Sequence, residues 1–223
     1  MNAAALLLLA LAADPAAKAP SKPAAPAAGM TERQKTVYAL GVSAAESFKV
    51  FELKPEEVAV LSRGLSDALN NKPLKVDMQT YRPKVNALAQ KGFVAQSKAL
   101  LARYGAEKGA VTTATGLVYL EVKPGEGAKP GPEDTVKVHY EGRLPDGTVF
   151  DSSRRRGDAA SLPLDKVIKC WQEGIQKMKV GGQATIACPA ELAYGETGRP
   201  PTIPPNAALV FQVELVGIGA PGK

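Results

Sequence analysis

The spacing of apolar residues changes near residue 110, and this change most limits what the chain can fold into. From Val37 to Ala99, apolar residues recur every three or four positions, which is the period of one helix face. From Val136 onward they alternate with polar residues, which is the period of a strand with one buried face. The sequence therefore predicts a helical N-terminal part followed by a part built mainly from strands.

Three helices are predicted between residues 31 and 110. The first follows Thr31, which can form a capping box with Gln34. The second begins at Pro55, a residue favoured in the first turn of a helix, and the third begins near Asp77 and ends near Gly105. Their apolar stripes are Val37, Leu40, Ala44, Phe48 and Phe51; Val58, Leu61, Leu65 and Leu69; and Met78, Tyr81, Val85 and Leu88.

The three apolar stripes are more than a segment of this length can easily bury within one subunit. We expect them to be buried against a second copy of the chain, because isologous dimers are the commonest oligomers. Small residues at Gly92, Ala95 and Ala99 would permit a close approach between helices. The alternative is that these residues form an ordinary face within one chain.

The C-terminal part is predicted to be an antiparallel sheet laid across one short helix, an α+β arrangement. Val136, Val138 and Tyr140 lie on one face of a strand, and a Pro145–Gly147 turn separates that strand from the next. In the last strand Val210, Gln212 and Glu214 are expected to point outward. The residues expected to point inward are Leu209, Phe211, Val213 and Leu215, and the helix presents Ile168, Trp171, Ile175 and Met178.

The first thirty residues have a different composition. Ala3 to Ala13 is an unbroken apolar run, too short to cross a bilayer but typical of the core of a signal peptide, although Met1–Asn2 lacks the usual basic residue. Scattered prolines predict an extended linker over residues 14–30. The predicted organisation is a signal peptide (1–13), this linker (14–30), a helical domain (31–110) and a sheet domain (111–219).

Composition excludes several kinds of site. One His and two Cys cannot supply a closed zinc site, and we expect neither a metal nor another cofactor. The net charge is +6, and the basic cluster Arg154–Arg156 is interpreted as a solvated surface rather than as a nucleic-acid site. No apolar run is long enough for stable membrane insertion. Cys170 and Cys188 could form a disulfide in an exported chain or remain two buried thiols.

Several short motifs follow one another in the C-terminal part: VHYEG at 138–142, DGTVFDSS at 146–153, Trp171 with Glu173-Gly174, ELAYG at 191–195 and IPPNA at 203–207. Together they resemble those of the FKBP-type peptidyl-prolyl isomerases. The helical half followed by TGLVY at 115–119 is similar to the exported, dimeric branch of that family, which includes macrophage-infectivity-potentiator-like proteins of Gram-negative bacteria.

The resemblance implies a periplasmic homodimer that isomerises X-Pro bonds in unfolded or nascent proline-containing polypeptides, with chaperone activity in the helical domain. The alternative is a chaperone that uses the same pocket only to bind peptides. Macrolides are the inhibitors that the resemblance implies. By resemblance, the catalytic residues are Asp151, Tyr194, Trp171 and Phe150, and the substrate-binding residues are Tyr140, Val167, Ile168, Ile203, Phe211 and Arg156.

Overall fold

The computed structural model of the protein describes residues 29–219, and the chain divides between Ser47 and Phe48 into two compact units. The predicted signal peptide and residues 14–28 of the predicted linker lie outside the described residues. None of the helices within 29–219 combines the length and the apolar character that a bilayer crossing requires.

Helix α1 runs from Glu32 to Phe48, as the capping box predicts. Thr31 and Gln34 bond reciprocally: the Gln34 N–H donates to the Thr31 hydroxyl (3.2 Å) and the Thr31 N–H to the Gln34 side chain (2.8 Å). These bonds satisfy two of the backbone donors that a helix start leaves unpaired. The apolar side chains of Val37 and Leu40 are exposed.

The second unit contains helices α2 (Pro55–Leu69) and α3 (Met78–Gly105). The Asp77 carboxylate begins α3 by accepting the N–H groups of Gln79 and Thr80. The predicted apolar stripes of both helices are largely exposed in the single chain, as shown by Val58, Leu65, Leu69, Met78, Tyr81, Val85 and Leu88.

The small residue Gly92 of α3 makes a close contact within the chain. The Lys49–Phe51 segment, one turn of 3₁₀ helix, places the Val50 carbonyl where a Cβ on Gly92 would overlap it. At this position the intrachain alternative for the small-residue face is therefore correct, since the space is filled by Val50.

The predicted sheet is confirmed, and all of its paired strands are antiparallel. The strands are β1 Ala110–Thr112, β2 Val118–Lys123, β3 Thr135–Arg143, β4 Val149–Ser152, β5 Ala160–Pro163, β6 Gln183–Cys188 and β7 Leu209–Gly219. Their order in the sheet is β1-β2-β6-β7-β3-β4, and β5 shares the outer edge of β3 with β4. Two short helices, α4 (Ser153–Arg156) and α5 (Lys169–Ile175), accompany the sheet.

Each face of the sheet carries its own apolar cluster. The larger cluster joins α5 to the inward side chains of the strands, including Val138, Ile186 and Leu215. The smaller one, on the other face, contains Leu100 of α3 with Val118, Ala187, Ala208 and Val210. Val210 lies on the outward face of β7, as predicted, but only 2% of it is exposed because α3 covers that face.

Cys170 of α5 and Cys188 of β6 form a disulfide, with their Cα atoms 5.7 Å apart. Both residues are fully buried. The sequence left this pairing open, and the structure decides it. Helix α5 ends at Ile175, one turn earlier than its apolar spacing predicts, although Met178 beyond it is still buried in the larger cluster.

Candidate functional site

Four aromatic rings from four different elements meet at one end of the larger cluster. The Trp171 ring of α5 lies 4.9 Å from the Tyr140 ring of β3 and 5.2 Å from the Phe211 ring of β7, measured between centroids. The Phe150 ring of β4 lies 5.7 Å from that of Phe211. All three contacts are edge-to-face, the geometry that aromatic quadrupoles favour. The result is a continuous aromatic surface in the order Tyr140, Trp171, Phe211, Phe150.

The close approach of Phe150 and Phe211 depends on a glycine in β3. A Cβ on Gly142 would come within 2.6 Å of the Phe150 ring and 2.9 Å of the Phe211 ring. Both distances are too short for carbon atoms, so a side chain here would push the rings apart. The VHYEG motif therefore supplies one wall residue, Tyr140, and the space for two others.

A carboxylate borders this aromatic surface at the end of β4. The Asp151 carboxylate accepts hydrogen bonds from the Tyr140 hydroxyl and the Arg156 guanidinium. The guanidinium also donates to the Tyr140 hydroxyl oxygen at 3.0 Å. Each of the three side chains thus contacts the other two, and the group fixes how the Tyr140 ring stands against Trp171.

These contacts set the charge of the Asp151 carboxyl. Burial raises its pKa, but the hydrogen bonds from Tyr140 and Arg156 and the nearby positive charge outweigh burial and hold the pKa below its ordinary value. Burial and the bond to Asp151 raise the pKa of the Tyr140 hydroxyl. At neutral pH the site therefore holds an ionised carboxylate next to a neutral phenol and a guanidinium cation.

The remaining predicted site residues pack against the same apolar cluster. Val167, Ile168 and Tyr194 are half-buried there, and Ile203 is buried within it. The Ile168 N–H, at the start of α5, donates to no backbone carbonyl in residues 29–219. Ile203 is held by two backbone hydrogen bonds to Arg199, of 2.8 and 2.9 Å, which close a small hairpin after Tyr194.

Two features of the ring cluster were not anticipated from the sequence. The buried Ser153 hydroxyl accepts the Tyr140 N–H (2.8 Å) and lies 3.3 Å from the Tyr140 carbonyl, so it anchors the backbone that carries one wall ring. The Trp171 indole N–H is buried and has no acceptor within the part of the chain that the structure describes. For the anchoring role of Ser153, the only signal in the sequence was the pair of serines that follows Asp151. That pair does not show which of the two, Ser152 or Ser153, takes the role.

The single histidine and the basic cluster contact other side chains of the protein. His139 Nδ1 lies 3.3 Å from the Ser153 hydroxyl oxygen, which gives this histidine a structural contact. In the basic cluster Arg154 pairs with Glu214 and Arg156 with Asp151, so two of the three arginines are engaged within the protein. Between residues 29 and 219 no group of three or more His, Cys, Asp or Glu side chains could hold a metal ion.

Comparison with known proteins gives consistent matches over both halves of the chain. Residues 126–216 match the family model described as "FKBP-type peptidyl-prolyl cis-trans isomerase". Residues 33–120 match the model described as "Domain amino terminal to FKBP-type peptidyl-prolyl isomerase".

Individual relatives agree with the family models. The FKBP-type peptidyl-prolyl cis-trans isomerase FkpA of Escherichia coli K12 is 37% identical, over 93% of this chain and 82% of the relative. The peptidyl-prolyl cis-trans isomerase Mip of Coxiella burnetii is 38% identical, over 84% and 87%. The crystal structure of FkpA from Escherichia coli matches with a TM-score of 0.59 and 35% identity, over 86% of this chain and 99% of that chain.

Proposed function

Because the chain belongs to the FKBP-type peptidyl-prolyl cis-trans isomerases, we propose that its four contacting aromatic rings form the cleft in which an X-Pro bond rotates. The family membership makes the chain an enzyme that interconverts the cis and trans forms of the peptide bond before proline. The observation that carries the proposal is the continuous contact of Tyr140, Trp171, Phe211 and Phe150 beside the Asp151 carboxylate.

The chemistry needs no nucleophile, because no bond between heavy atoms breaks. Rotation is opposed by amide resonance, with a barrier of about 18–20 kcal/mol. Twisting the bond removes that resonance and makes the amide less polar, so an apolar aromatic cleft stabilises the twisted form more than either planar form. A reduction of about 5–8 kcal/mol in the barrier would accelerate exchange roughly 10⁴- to 10⁶-fold.

Each side chain has a role in this proposal. Trp171 is the floor beneath the proline ring. Ile203 lies above it on the flap, which is the hairpin closed by Arg199 and Ile203. The Tyr194 hydroxyl and the Ile168 N–H donate to substrate carbonyls, and Asp151 stands at the rim close to the rotating amide, held by Arg156. The apolar walls are Tyr140, Phe150, Phe211, Val167 and Ile168. A macrolide that fills the same cleft would compete with the peptide.

Replacing Asp151 by asparagine tests the polar side of the cleft. The change keeps the size of the side chain but removes the charge that holds Tyr140 and Arg156, so we expect kcat/KM for a short X-Pro peptide to fall about tenfold. Asp158→Asn, an equal change of charge at an exposed carboxylate nearby, should leave kcat/KM unchanged. Equal activities of wild type and Asp151→Asn would remove Asp151 from the site.

The same carboxylate predicts a dependence of stability on pH. Because the pKa of Asp151 is lower in the folded protein than in the unfolded chain, its contribution to stability is present above the unfolded pKa. That contribution is lost as pH falls through the folded pKa. In Asp151→Asn this part of the acid-induced loss should be absent from denaturant titrations.

The peptide assay also separates the proposal from a non-catalytic peptide-binding chaperone. A short peptide cannot aggregate, so accelerated isomerisation of its X-Pro bond measures catalysis alone. A chaperone that merely binds through the cleft would bind the peptide without accelerating its exchange. The fixed Tyr140–Asp151–Arg156 arrangement favours catalysis, because peptide binding alone would not require an oriented carboxylate at the rim.

The exposed apolar stripes of the helices support a second proposal, a homodimer whose helices also hold unfolded clients. Isolated amphipathic faces of this kind are normally covered by a partner. The stripe of α2 is open along its length, from Val58 through Leu65 to Leu69. A second copy of the chain would bury it, and an unfolded polypeptide would bind to any part left open.

Leu65→Glu is expected to break this dimer. The charge would be buried against the partner stripe, so the mass in solution, measured by light scattering, should fall to half. Suppression of client aggregation should weaken, and peptide isomerisation should persist. Arg63→Glu, on the opposite side of α2, should leave the mass unchanged. A wild-type protein with the mass of one chain would contradict the dimer.

Export to the periplasm is the location we propose. The apolar run Ala3–Ala13, the similarity to FkpA and Mip, and the Cys170–Cys188 disulfide all support it. Disulfides persist in oxidising compartments and are rare in the cytosol. The clients would then be exported polypeptides that contain proline and are still folding.

A further inference from the structure

A serine on the long helix α3 binds the chain that follows the proposed flap. The Ser97 hydroxyl donates to the carbonyl of Asn206 (2.8 Å) and accepts the N–H of Ala208 (2.7 Å). The residues it joins are 109 and 111 positions further along the chain. One side chain thus satisfies two backbone groups of a segment that no regular secondary structure holds.

The surroundings of Ser97 leave the Ala208 N–H no ready alternative partner. Ser97 is 7% exposed and Ala208 is fully buried. One turn further along α3, Leu100 packs against Ala208 and Val210. A buried N–H without an acceptor is unfavourable, so removing the Ser97 hydroxyl should loosen the segment rather than leave it in place.

The same segment is bonded to the residue next to Tyr194. The Asn206 N–H donates to the Gly195 carbonyl at 3.0 Å. Asn206 and Gly195 both have left-handed backbone conformations, with φ of +60° and +58°. Asparagine tolerates this conformation better than most residues with a side chain, and the bonds on both sides of Asn206 hold it there. A continuous series of contacts therefore runs from Ser97 through Asn206 and Gly195 to Tyr194.

We propose that Ser97 is a positioning residue for isomerisation, acting through Asn206 and Gly195 on the hydroxyl of Tyr194. The inference rests on the proposed function, in which Tyr194 donates to a carbonyl of the bound peptide. It adds a determinant of activity that lies on a helix outside the sheet. Ser97 contacts only backbone groups of the 206–208 segment. It therefore acts by holding the backbone of that segment in place and does not itself touch the substrate.

A double-mutant cycle tests the proposal with a short X-Pro peptide. Ser97→Ala should reduce kcat/KM about fivefold, mainly by raising KM, because a displaced Tyr194 weakens peptide binding. In a Tyr194→Phe background the same change should reduce kcat/KM by less than about 1.5-fold, because residues that act as one unit are not additive.

The cycle separates failure of the inference from failure of the proposed function. An equal fold-loss for Ser97→Ala in both backgrounds would show that Ser97 does not act through Tyr194, and would overturn this inference alone. Full activity of Tyr194→Phe by itself would remove Tyr194 from the proposed site, and the inference would fall with it.

Two control variants and one direct measurement distinguish positioning from general stability. Ser97→Thr retains a hydroxyl and should retain most of the activity. Val118→Ala loosens the packing between β2 and α3 but keeps the hydroxyl, so it should lower stability with little change in KM. A KM increase equal to that of Ser97→Ala would overturn the inference. Amide exchange in Ser97→Ala should speed up at Ala208 and Asn206 before other buried amides, and unchanged exchange there would also overturn it.

Discussion

Replacing Trp171 by alanine should remove most of the isomerase activity and lower the free energy of unfolding by about 3–5 kcal/mol. Trp171 is 4% exposed and contacts both the Tyr140 and the Phe211 rings, so its loss opens a cavity at the centre of the aromatic surface. The proposed floor beneath the proline disappears with it. We expect kcat/KM to fall at least about tenfold under conditions in which the protein remains folded.

The effect on activity can be separated from the effect on stability. Ile175 lies on the same helix, is fully buried in the same cluster and has no role in the proposed cleft. Ile175→Ala should lower the free energy of unfolding by about 2–5 kcal/mol, yet retain kcat/KM per folded molecule. If Trp171→Ala keeps wild-type activity, or if both variants lose activity in proportion to stability, the ring cluster is only a core.

The second large effect concerns the Cys170–Cys188 disulfide. The double variant Cys170→Ser/Cys188→Ser should lose about 3 kcal/mol of unfolding free energy, since the bond closes a loop between residues 18 positions apart. The bond joins α5 to β6 immediately beside Trp171, so the cleft should also loosen. Denaturant titration with and without reductant gives the measurement.

The reductant supplies its own control for this prediction. It should lower the stability of the wild type to that of the double variant and should leave the double variant unchanged. Both cysteines are fully buried, so reduction should proceed only as the protein opens. The wild-type protein can be unfolded in reductant so that the bond is accessible. If its free energy of unfolding is then the same with and without reductant, the role assigned to the bond is contradicted.

Periodicity predicted the elements and most of the ring positions, because these follow from local pattern. Alternation within each strand places Tyr140 on the same face as Val138, and Phe211 on the same face as Val213. The helix spacing places Trp171 on the buried face of α5. That these rings meet required the family resemblance, since strand pairing is not encoded in the period. The ring contacts then follow from the register of β3 with β7.

The parts that escaped sequence reasoning are contacts between distant segments. Val210 has the pattern of a solvent-facing residue, and only the position of α3 across the sheet buries it. Ser97 resembles the other helix serines, such as Ser62, whose hydroxyl bonds to the Val58 carbonyl of its own helix. The disulfide could not be decided either, because spacing alone does not place two Cα atoms 5.7 Å apart.

The lengths of the outermost strands have a consequence for the proposed action on unfolded chains. β1 has three residues, and β4 and β5, which together cover the outer edge of β3, have four each. An extended polypeptide can join a sheet only by forming backbone hydrogen bonds along an unpaired edge strand. Edge strands of three or four residues offer few backbone groups for such pairing. If the protein acts on aggregation-prone segments as proposed, its own sheet should resist being recruited into their deposits.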